Sequence, residues 1–188
     1  MKATNILVVG AGVFGASAAL ELRIRGHAVT LVDPGPLPHA DASSTDVSKI
    51  VRADYGGDAF YSRLARDCIA EWHRWNVKAR RTLYHETGFL VLAGEEMRPG
   101  GFEHDSREVM RSLGQDVEPM DGDLLRERFP AWTSREYPDG YFNPHAGWAE
   151  SGNVVEWLLK LGRDAGVVLL EGERMKALLE NGSRVAGI

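Results

Sequence analysis

Three glycines near the amino terminus have the spacing of a nucleotide-binding turn. They occur in the sequence Gly10-Ala-Gly12-Val-Phe-Gly15. A glycine at the first position allows a tight turn, the second lets a pyrophosphate approach the backbone, and the third lets the next helix pack closely on the preceding strand. Because that helix directs its first N–H groups and the positive end of its dipole at the turn, the turn is suited to hold an anion.

The elements that must position this turn can be recognised on either side of it. The apolar residues 6–9 predict a strand buried on both faces, and residues 14–25 predict a helix that Gly26 ends. Residues 29–32 predict a second strand, and Asp33 follows at its carboxyl end, where it could accept hydrogen bonds from an adenosine ribose. An acid here favours FAD or NAD over NADP. The alternative is a glycine-rich turn in an empty βαβ unit.

A long loop and two cations follow the acidic residue. Residues 34–46 hold three prolines and a polar cluster, and so long a loop in a compact domain usually has a function. Because the loop leaves the carboxyl side of the sheet, we expect it to run along a bound cofactor. Lys49 and Arg52 are near neighbours if the regular segment 48–52 is helical. The alternative is that both are solvated surface cations.

The remainder of the chain predicts an inserted module and a return to the first sheet. Residues 60–75 predict an amphipathic helix whose apolar stripe is Tyr61, Leu64, Cys68, Trp72 and Trp75. On this stripe Cys68 is predicted to be a small buried hydrophobe rather than a nucleophile. A strand, two helices and a strand, typical of an α+β module, are then predicted at residues 87–93, 106–113, 122–128 and 141–142. The helix 153–164 and the strand 167–170 are predicted to rejoin the opening sheet.

Composition and charge exclude several classes of function. The formal net charge is -5 and no basic stripe occurs, so nucleic acid is not an expected partner. No apolar run approaches the ~20 residues of a membrane span, and no His or Cys spacing matches a metal site. A single cysteine, and a first strand that leaves no room for a signal peptide, predict a cytoplasmic protein. The hairpin predicted at residues 175–179 and 185–188 stops soon after its second strand begins, which predicts a part of a longer polypeptide.

Several segments share their residues with one family of flavoenzymes. They are Gly10-Ala-Gly12-Val-Phe-Gly15, Asp33-Pro34, Ser43-Ser-Thr-Asp-Val-Ser-Lys49-Ile-Val-Arg52, Tyr55-Gly56, Thr87-Gly88-Phe89-Leu90 and Asn143-Pro144-His145-Ala146-Gly147. Together they resemble the N-terminal half of the FAD-dependent amine oxidases of the D-amino-acid oxidase superfamily. The most similar groups are monomeric sarcosine oxidase, pipecolate oxidase and the fructosyl-amino-acid oxidases.

The resemblance implies an α/β fold with two domains. A Rossmann-like FAD-binding domain, with a βαβ unit of the glutathione-reductase type, would comprise residues 1–84 and 146–188. An inserted and incomplete α+β substrate-binding domain would comprise residues 85–145. The C-terminal half of the enzyme, which carries the family's flavin-linking cysteine and oxygen-activating lysine, would be missing or supplied by a complementing chain. Cys68 does not match the flavin-linking cysteine.

The resemblance also implies the residues that contact FAD and substrate. Met175 falls where relatives hold the adenine by backbone groups, Lys49 matches a basic residue beside the flavin ring, and Arg52 matches the arginine that pairs with the substrate carboxylate. The implied FAD contacts are Gly10, Gly12, Val13, Phe14, Gly15, Asp33, Pro34, His39, Ser43, Ser44, Thr45, Lys49, Ile50 and Met175.

The implied reaction is the oxidation of a secondary amine or an N-substituted amino acid. A hydride passes from the carbon next to the amine to flavin N5, water hydrolyses the imine, and oxygen reoxidises the flavin to give hydrogen peroxide. Lys49 would stabilise negative charge on the reduced ring, and Arg52 would hold the carboxylate by two parallel bonds. The alternatives are an NAD-dependent dehydrogenase, a flavin hydroxylase with the same βαβ unit, and a non-catalytic dinucleotide-binding subunit.

Overall fold

The chain forms two compact units. The structure is a computed structural model that describes residues 3–132 and 135–187. The first unit comprises Met1–Lys49 and Glu150–Ile188, and the second unit comprises Ile50–Ala149. Residues 50–84, which the sequence assigns to the FAD-binding domain, therefore group with the second unit. The division of labour between an FAD-binding and a substrate-binding domain stays a prediction.

Strands and helices are interspersed along the described residues, which confirms the α/β class. In order they are β1 (Asn5–Val9), α1 (Val13–Ile24), β2 (Ala28–Asp33), β3 (Lys49–Val51), α2 (Ala59–Ala79), β4 (Tyr84–His85), β5 (Phe89–Ala93), α3 (Phe102–Ser112), β6 (Glu118–Pro119), α4 (Gly122–Arg128), β7 (Asp139–Asn143), β8 (Gly147–Ala149), α5 (Ser151–Ala165), β9 (Val168–Glu171), β10 (Leu179–Asn181) and β11 (Arg184–Gly187).

The first unit is built on a parallel sheet. Its strand order is β1-β2-β9, with Val9 opposite Val32 and Asp33 opposite Glu171. Parallel neighbours need crossover connections, so α1 links β1 to β2, while α5 precedes β9 and packs against α1. The predicted return of the second helix–strand pair to the opening sheet is confirmed. The predicted hairpin is present as β10 and β11, joined at Asn181-Gly182, but its first strand begins at Leu179 rather than at Met175, and the last residue of its predicted second strand, Ile188, lies outside the described residues.

One face of this sheet is open, which corrects the prediction that the first strand is buried on both faces. Helix α1 covers the face that carries Val8. The register places the alternate residues of β1 and β9 on the opposite face. They are Leu7 (43% exposed), Val9 (48%), Val168 (54%) and Leu170 (42%), which together we call the open face. The prediction was wrong because an apolar run does not say whether the same chain supplies cover for both faces.

The described residues of the second unit contribute to two sheets and form three helices. The strand orders are β3-β8-β4 and β5-β7-β6, and β5 pairs with β7 so that Phe89 lies opposite Asn143 and Val91 opposite Tyr141. Helices α2 and α3 pack together, and the predicted α4 is confirmed at both ends. The start of α4 is fixed locally because the side chain of Asp121 accepts hydrogen bonds from the first backbone N–H groups.

Helix α2 buries a different stripe from the predicted one. Cys68 is exposed, so its prediction as a buried hydrophobe was wrong, and Tyr61 and Leu64 are also exposed. The face that turns inward carries Ser62, Ala65, Ile69 and Trp72. Its first three members lie one position further along the helix than the predicted ones, because the small side chains of Ser62 and Ala65 allow close packing that hydrophobicity alone does not predict. The predicted inward position of Trp72 is confirmed.

Burial of Tyr84 predicts a loss of stability at alkaline pH. Tyr84 lies in a core cluster with Ala53, Ile69 and Met110, and its burial, followed by the charge of Glu86, raises the pKa of its phenol from 10.0 to about 12. Because the folded state keeps this proton longer than the unfolded state, the stabilising contribution is complete below pH 10 and declines as the pH rises through about 12.

We expect urea unfolding to show a smaller alkaline loss in Tyr84→Phe than in the unsubstituted protein. The free energy of unfolding should be compared below and above pH 10, where the free phenol ionises. Some alkaline sensitivity will remain, since burial also raises the pKa of Tyr141. Equal alkaline slopes for the two proteins would contradict the assignment to Tyr84.

Candidate dinucleotide and carboxylate site

The glycine turn lies between β1 and α1 and depends on two close backbone approaches. Gly10 has a φ of +95° and donates its N–H to the carbonyl of Val32 at 2.8 Å, which joins the turn to β2. A Cβ on Gly15 would lie 1.7 Å from the carbonyl oxygen of Gly10, so only glycine lets α1 approach the turn so closely. The predicted arrangement of strand, turn and helix is therefore present in the first unit.

The carboxylate of Asp33 is held at the end of β2 by three groups. Its Oδ2 accepts the N–H of Ala11 at 2.8 Å, and its Oδ1 accepts the N–H of Gly35 at 3.0 Å. The ring of His39 lies beside Gly35, with Nδ1 3.2 Å from Oδ1 of the acid. Since a carboxylate has about four acceptor sites, about one remains for a ligand hydroxyl. Pro34 is half-buried between these partners.

Hydroxyl side chains of the following loop meet the start of α1. Ser44 Oγ accepts the N–H of Val13 at 3.0 Å, and a Cβ on Gly12 would lie 3.1 Å from the same oxygen. Thr45 Oγ1 is buried and finds no hydrogen-bond partner within the part of the chain that the structure describes. The N-terminus of a helix favours a negatively charged group, and Ser44 Oγ lies at this end of α1.

A cavity of about 490 Å³ connects the turn and this loop within the first unit. It contains most of the cofactor contacts implied by the sequence that precede residue 50. Its lining residues are Val9, Gly10, Gly12, Val13, Phe14, Gly15, Ala42, Ser43, Ser44 and Lys49. The structure therefore brings the turn, the serine pair and the lysine of the first unit to one site.

The predicted cation Lys49 is the first residue of strand β3, not part of a helix. Its Nζ lies 2.5 Å from Oδ2 of Asp46, and this hydrogen bond, together with the backbone N–H of Val47, holds the pKa of Asp46 below its ordinary value. Lys49 and Arg52 were expected to be near neighbours if segment 48–52 were helical, and this condition is not met because residues 49–51 form a strand that ends before Arg52. Ile50, the next predicted contact, is exposed in the same strand.

Arg52, in the second unit, is surrounded by aromatic rings. Its guanidinium carbon lies 5.3 Å from the ring centroid of Tyr55, 5.6 Å from that of Phe89 and 5.8 Å from that of Phe102. Its Nη1 is buried and has no hydrogen-bond partner among residues 3–132 and 135–187. A buried guanidinium nitrogen without an acceptor costs free energy, so the arrangement suits an anionic ligand that supplies one.

A buried polar cluster in the second unit was not predicted from the sequence. Asp54 and Asn143 are completely buried, and Oδ1 and Oδ2 of the acid accept hydrogen bonds from the Tyr141 hydroxyl (2.7 Å) and the Asn143 amide (2.9 Å). Burial, and then the charge of Asp54, raises the pKa of the Tyr141 phenol. The one available signal was the Asn-Pro-His-Ala-Gly motif, because it begins with Asn143.

Met175 lies over the open face in the first unit. It lines a second cavity of about 460 Å³ with Leu7, Val32 and Leu170. The N–H of Glu173 donates to the carbonyl of Asp33 at 3.1 Å, so the segment that contains Met175 passes the end of β2. This position is compatible with the predicted contact to an adenine next to the ribose.

The described residues contain neither a cluster of metal ligands nor a helix that could span a membrane. Within residues 3–132 and 135–187, no group of three or more His, Cys, Asp or Glu side chains could hold a metal ion. In the same ranges, none of the helices has the length and apolar character that crossing a bilayer requires.

A strand, a glycine turn, a helix and a second strand that ends in an acid define a dinucleotide-binding protein. A family described as FAD dependent oxidoreductase matches residues 5–188, and the chain belongs to this family. The cofactor is therefore FAD, and the NAD-dependent alternative is excluded.

Individual relatives agree with this assignment. The chain is 28% identical over 182 residues to L-saccharopine oxidase of Schizosaccharomyces pombe, covering 92% of this chain and 41% of that protein. It is 27% identical over 174 residues to monomeric sarcosine oxidase of Bacillus sp. (strain B-0618), covering 92% and 44%. The fold also matches L-proline dehydrogenase from P. horikoshii, with a TM-score of 0.81, 20% identity and coverage of 98% and 48%. The chain thus spans less than half the length of these relatives.

The residues present fit FAD. The glycine turn and Ser44 form a cradle that a side chain on Gly12 would narrow, and the unpartnered hydroxyl of Thr45 needs an acceptor or donor. Asp33 retains acceptor capacity for a ribose hydroxyl at the end of β2. These observations concern the shape and polarity of the cradle, whereas the contacts of individual residues with FAD stay predictions.

Proposed function

We propose that this chain supplies the cofactor-binding half of an FAD-dependent oxidase of secondary amines or N-substituted amino acids. The observation that carries the proposal is the buried, unpartnered Nη1 of Arg52 among three aromatic rings. Sarcosine and saccharopine, the substrates in the names of two relatives, are both secondary amines with a carboxylate. A guanidinium that lacks an acceptor matches that carboxylate.

In the proposed complex the first unit holds the cofactor. The glycine turn and Ser44 bind the diphosphate, Asp33 accepts a hydrogen bond from the ribose, and the backbone near Met175 contacts the adenine. His39 acts through Asp33, since its ring nitrogen contacts the acid. Val13, Phe14, Pro34, Ser43 and Thr45 complete the proposed contacts of this unit, and Ile50, which belongs to the second unit, stays a separate proposed contact.

The two cations have separate proposed tasks. When bound, FAD accepts a hydride from the carbon next to the amine. Lys49 would stabilise negative charge on a reduced flavin, and Asp46 would keep the Lys49 ammonium oriented. Arg52 holds the substrate carboxylate by two parallel hydrogen bonds, which fixes the reacting carbon. We propose oxygen as the electron acceptor and hydrogen peroxide as the product.

The exposed apolar residues of the open face support the proposal that a second polypeptide segment packs on it. Leu7, Val9, Val168 and Leu170 expose 42–54% of their surface on one side of the sheet. Contiguous apolar surface on a folded unit marks an interaction site. We propose that a further segment, either a continuation or a complementing chain, covers this face and supplies the rest of the substrate wall. By itself this chain is then inactive.

We also propose a cytoplasmic location. Cys68 is a free and exposed thiol, and such a thiol is compatible with a reducing compartment.

Anaerobic reduction of the bound flavin tests the proposed activity. In the flavin-loaded protein that also contains the proposed further segment, we expect sarcosine, pipecolate or saccharopine to bleach the visible absorbance of the flavin, and admission of oxygen to restore it with release of peroxide. Dimethylamine is the matched control, because it is a secondary amine without a carboxylate and should reduce the flavin far more slowly. A protein that binds no FAD, or whose flavin none of the N-substituted amino acids reduces, would refute the proposal.

A further inference from the structure

Arg52 lies near a buried acid that it does not bind. Asp54 follows two residues later and is completely buried. Within residues 3–132 and 135–187 the structure shows neither a hydrogen bond nor an ion pair between the two side chains, and Nη1 of the arginine is left without an acceptor. This is unexpected, because a buried carboxylate and a buried guanidinium normally pair.

The acceptor capacity of Asp54 is used by two neutral donors from one strand. Tyr141 and Asn143 are two residues apart in β7, so their side chains project from the same face. The tyrosine hydroxyl reaches Oδ1 at 2.7 Å and the asparagine amide reaches Oδ2 at 2.9 Å. Each oxygen of the acid therefore has its own donor, and neither donor brings a charge.

The two charges act on one phenol. The charge of Asp54 raises the pKa of Tyr141 in addition to the larger effect of burial, whereas the charge of Arg52 and a hydrogen bond with Ser106 lower it. Arg52 and Asp54 thus lie close enough to Tyr141 to influence the same proton. Loss of the Tyr141 hydroxyl would leave Oδ1 of Asp54 without its donor. Arg52 would then be a cation available to that oxygen.

We propose that Tyr141 and Asn143 keep Asp54 from neutralising Arg52, so that the guanidinium stays available for the carboxylate of the substrate. The three residues are positioning residues: they touch neither substrate nor cofactor and act through Arg52. The aromatic rings of Tyr55, Phe89 and Phe102 then hold the cation without using its hydrogen-bond donors. This inference rests on the proposed carboxylate-binding role of Arg52.

The test is the affinity of the flavin-loaded protein for phenylacetate, with the neutral phenylacetamide as a matched probe. By titration calorimetry, we expect Tyr141→Phe to weaken phenylacetate binding about tenfold, and to leave phenylacetamide binding unchanged. The double variant Tyr141→Phe with Asp54→Asn should regain most of the lost affinity, because it removes the competing charge. A purely structural defect would not be rescued in this way.

Two control variants separate the inference from its premise. Tyr84→Phe removes another buried hydroxyl of the second unit, which contacts the carbonyl of His145 rather than Asp54, and should bind phenylacetate normally. Unchanged phenylacetate affinity in Tyr141→Phe, or a loss that Asp54→Asn does not restore, would overturn the inference. If Arg52→Met also binds phenylacetate with full affinity, the proposed role of Arg52 itself fails.

Discussion

We expect Gly15→Ala to abolish FAD binding and to lower the free energy of unfolding by about 3 kcal/mol. The added Cβ would lie 1.7 Å from the carbonyl oxygen and 2.9 Å from the carbonyl carbon of Gly10. Both contacts are with backbone, so no side chain can rotate away. Helix α1 would have to move from the turn, which would separate the first N–H groups of the helix from the diphosphate that we propose they hold.

Gly162→Ala is the matched control for this prediction. Gly162 is also a helical glycine of the first unit, but its Cβ would meet Val167 at 3.7 Å, which is ordinary van der Waals contact. We expect this variant to bind FAD normally and to gain up to about 1 kcal/mol of stability from its helix propensity. Urea unfolding followed by circular dichroism and flavin content after reconstitution provide the measurements. Normal flavin content in Gly15→Ala would contradict the proposed cradle.

We expect Arg52→Lys to raise KM for an N-substituted amino acid roughly 100-fold, with unchanged flavin content. A planar guanidinium can form two parallel bonds with a carboxylate and stack against aromatic rings, whereas an ammonium is a compact point charge that does neither as well. The centroids of three aromatic rings lie 5.3–5.8 Å from the guanidinium carbon of Arg52. Because a flat guanidinium stacks on such rings better than an ammonium does, we expect the difference in KM to be large.

Arg74→Lys provides the comparison for Arg52→Lys. Arg74 is an exposed arginine of α2 whose partner is Glu71, so its replacement should leave KM unaltered. The rate with dimethylamine, which has no carboxylate, should be similar in all three proteins. An unaltered KM in Arg52→Lys would contradict the proposed contact between Arg52 and the substrate carboxylate.

Features that depend on local chemistry could be predicted from the amino-acid sequence alone. The glycine spacing predicted the turn, Asp33 was expected at the end of the second strand, and α4 was predicted with its true bounds. Each of these depends on neighbouring residues, such as the Asp121 side chain that begins α4 or the small glycine that permits close packing. The family resemblance, with FAD as cofactor, followed from the same short segments and is confirmed over residues 5–188.

The contacts between elements that are distant in sequence could be read only from the tertiary structure. The inward face of α2 carries Ser62 and Ala65 rather than Tyr61 and Leu64, because packing selects complementary shape over hydrophobicity. The exposure of the open face could not be predicted either, because an apolar strand does not specify whether another element packs on each of its faces. The hydrogen bonds of Asp54 could not be predicted from its neighbours in sequence, because both of its donors lie in β7, almost ninety residues later. Such contacts have no local pattern, since the fold brings their partners together.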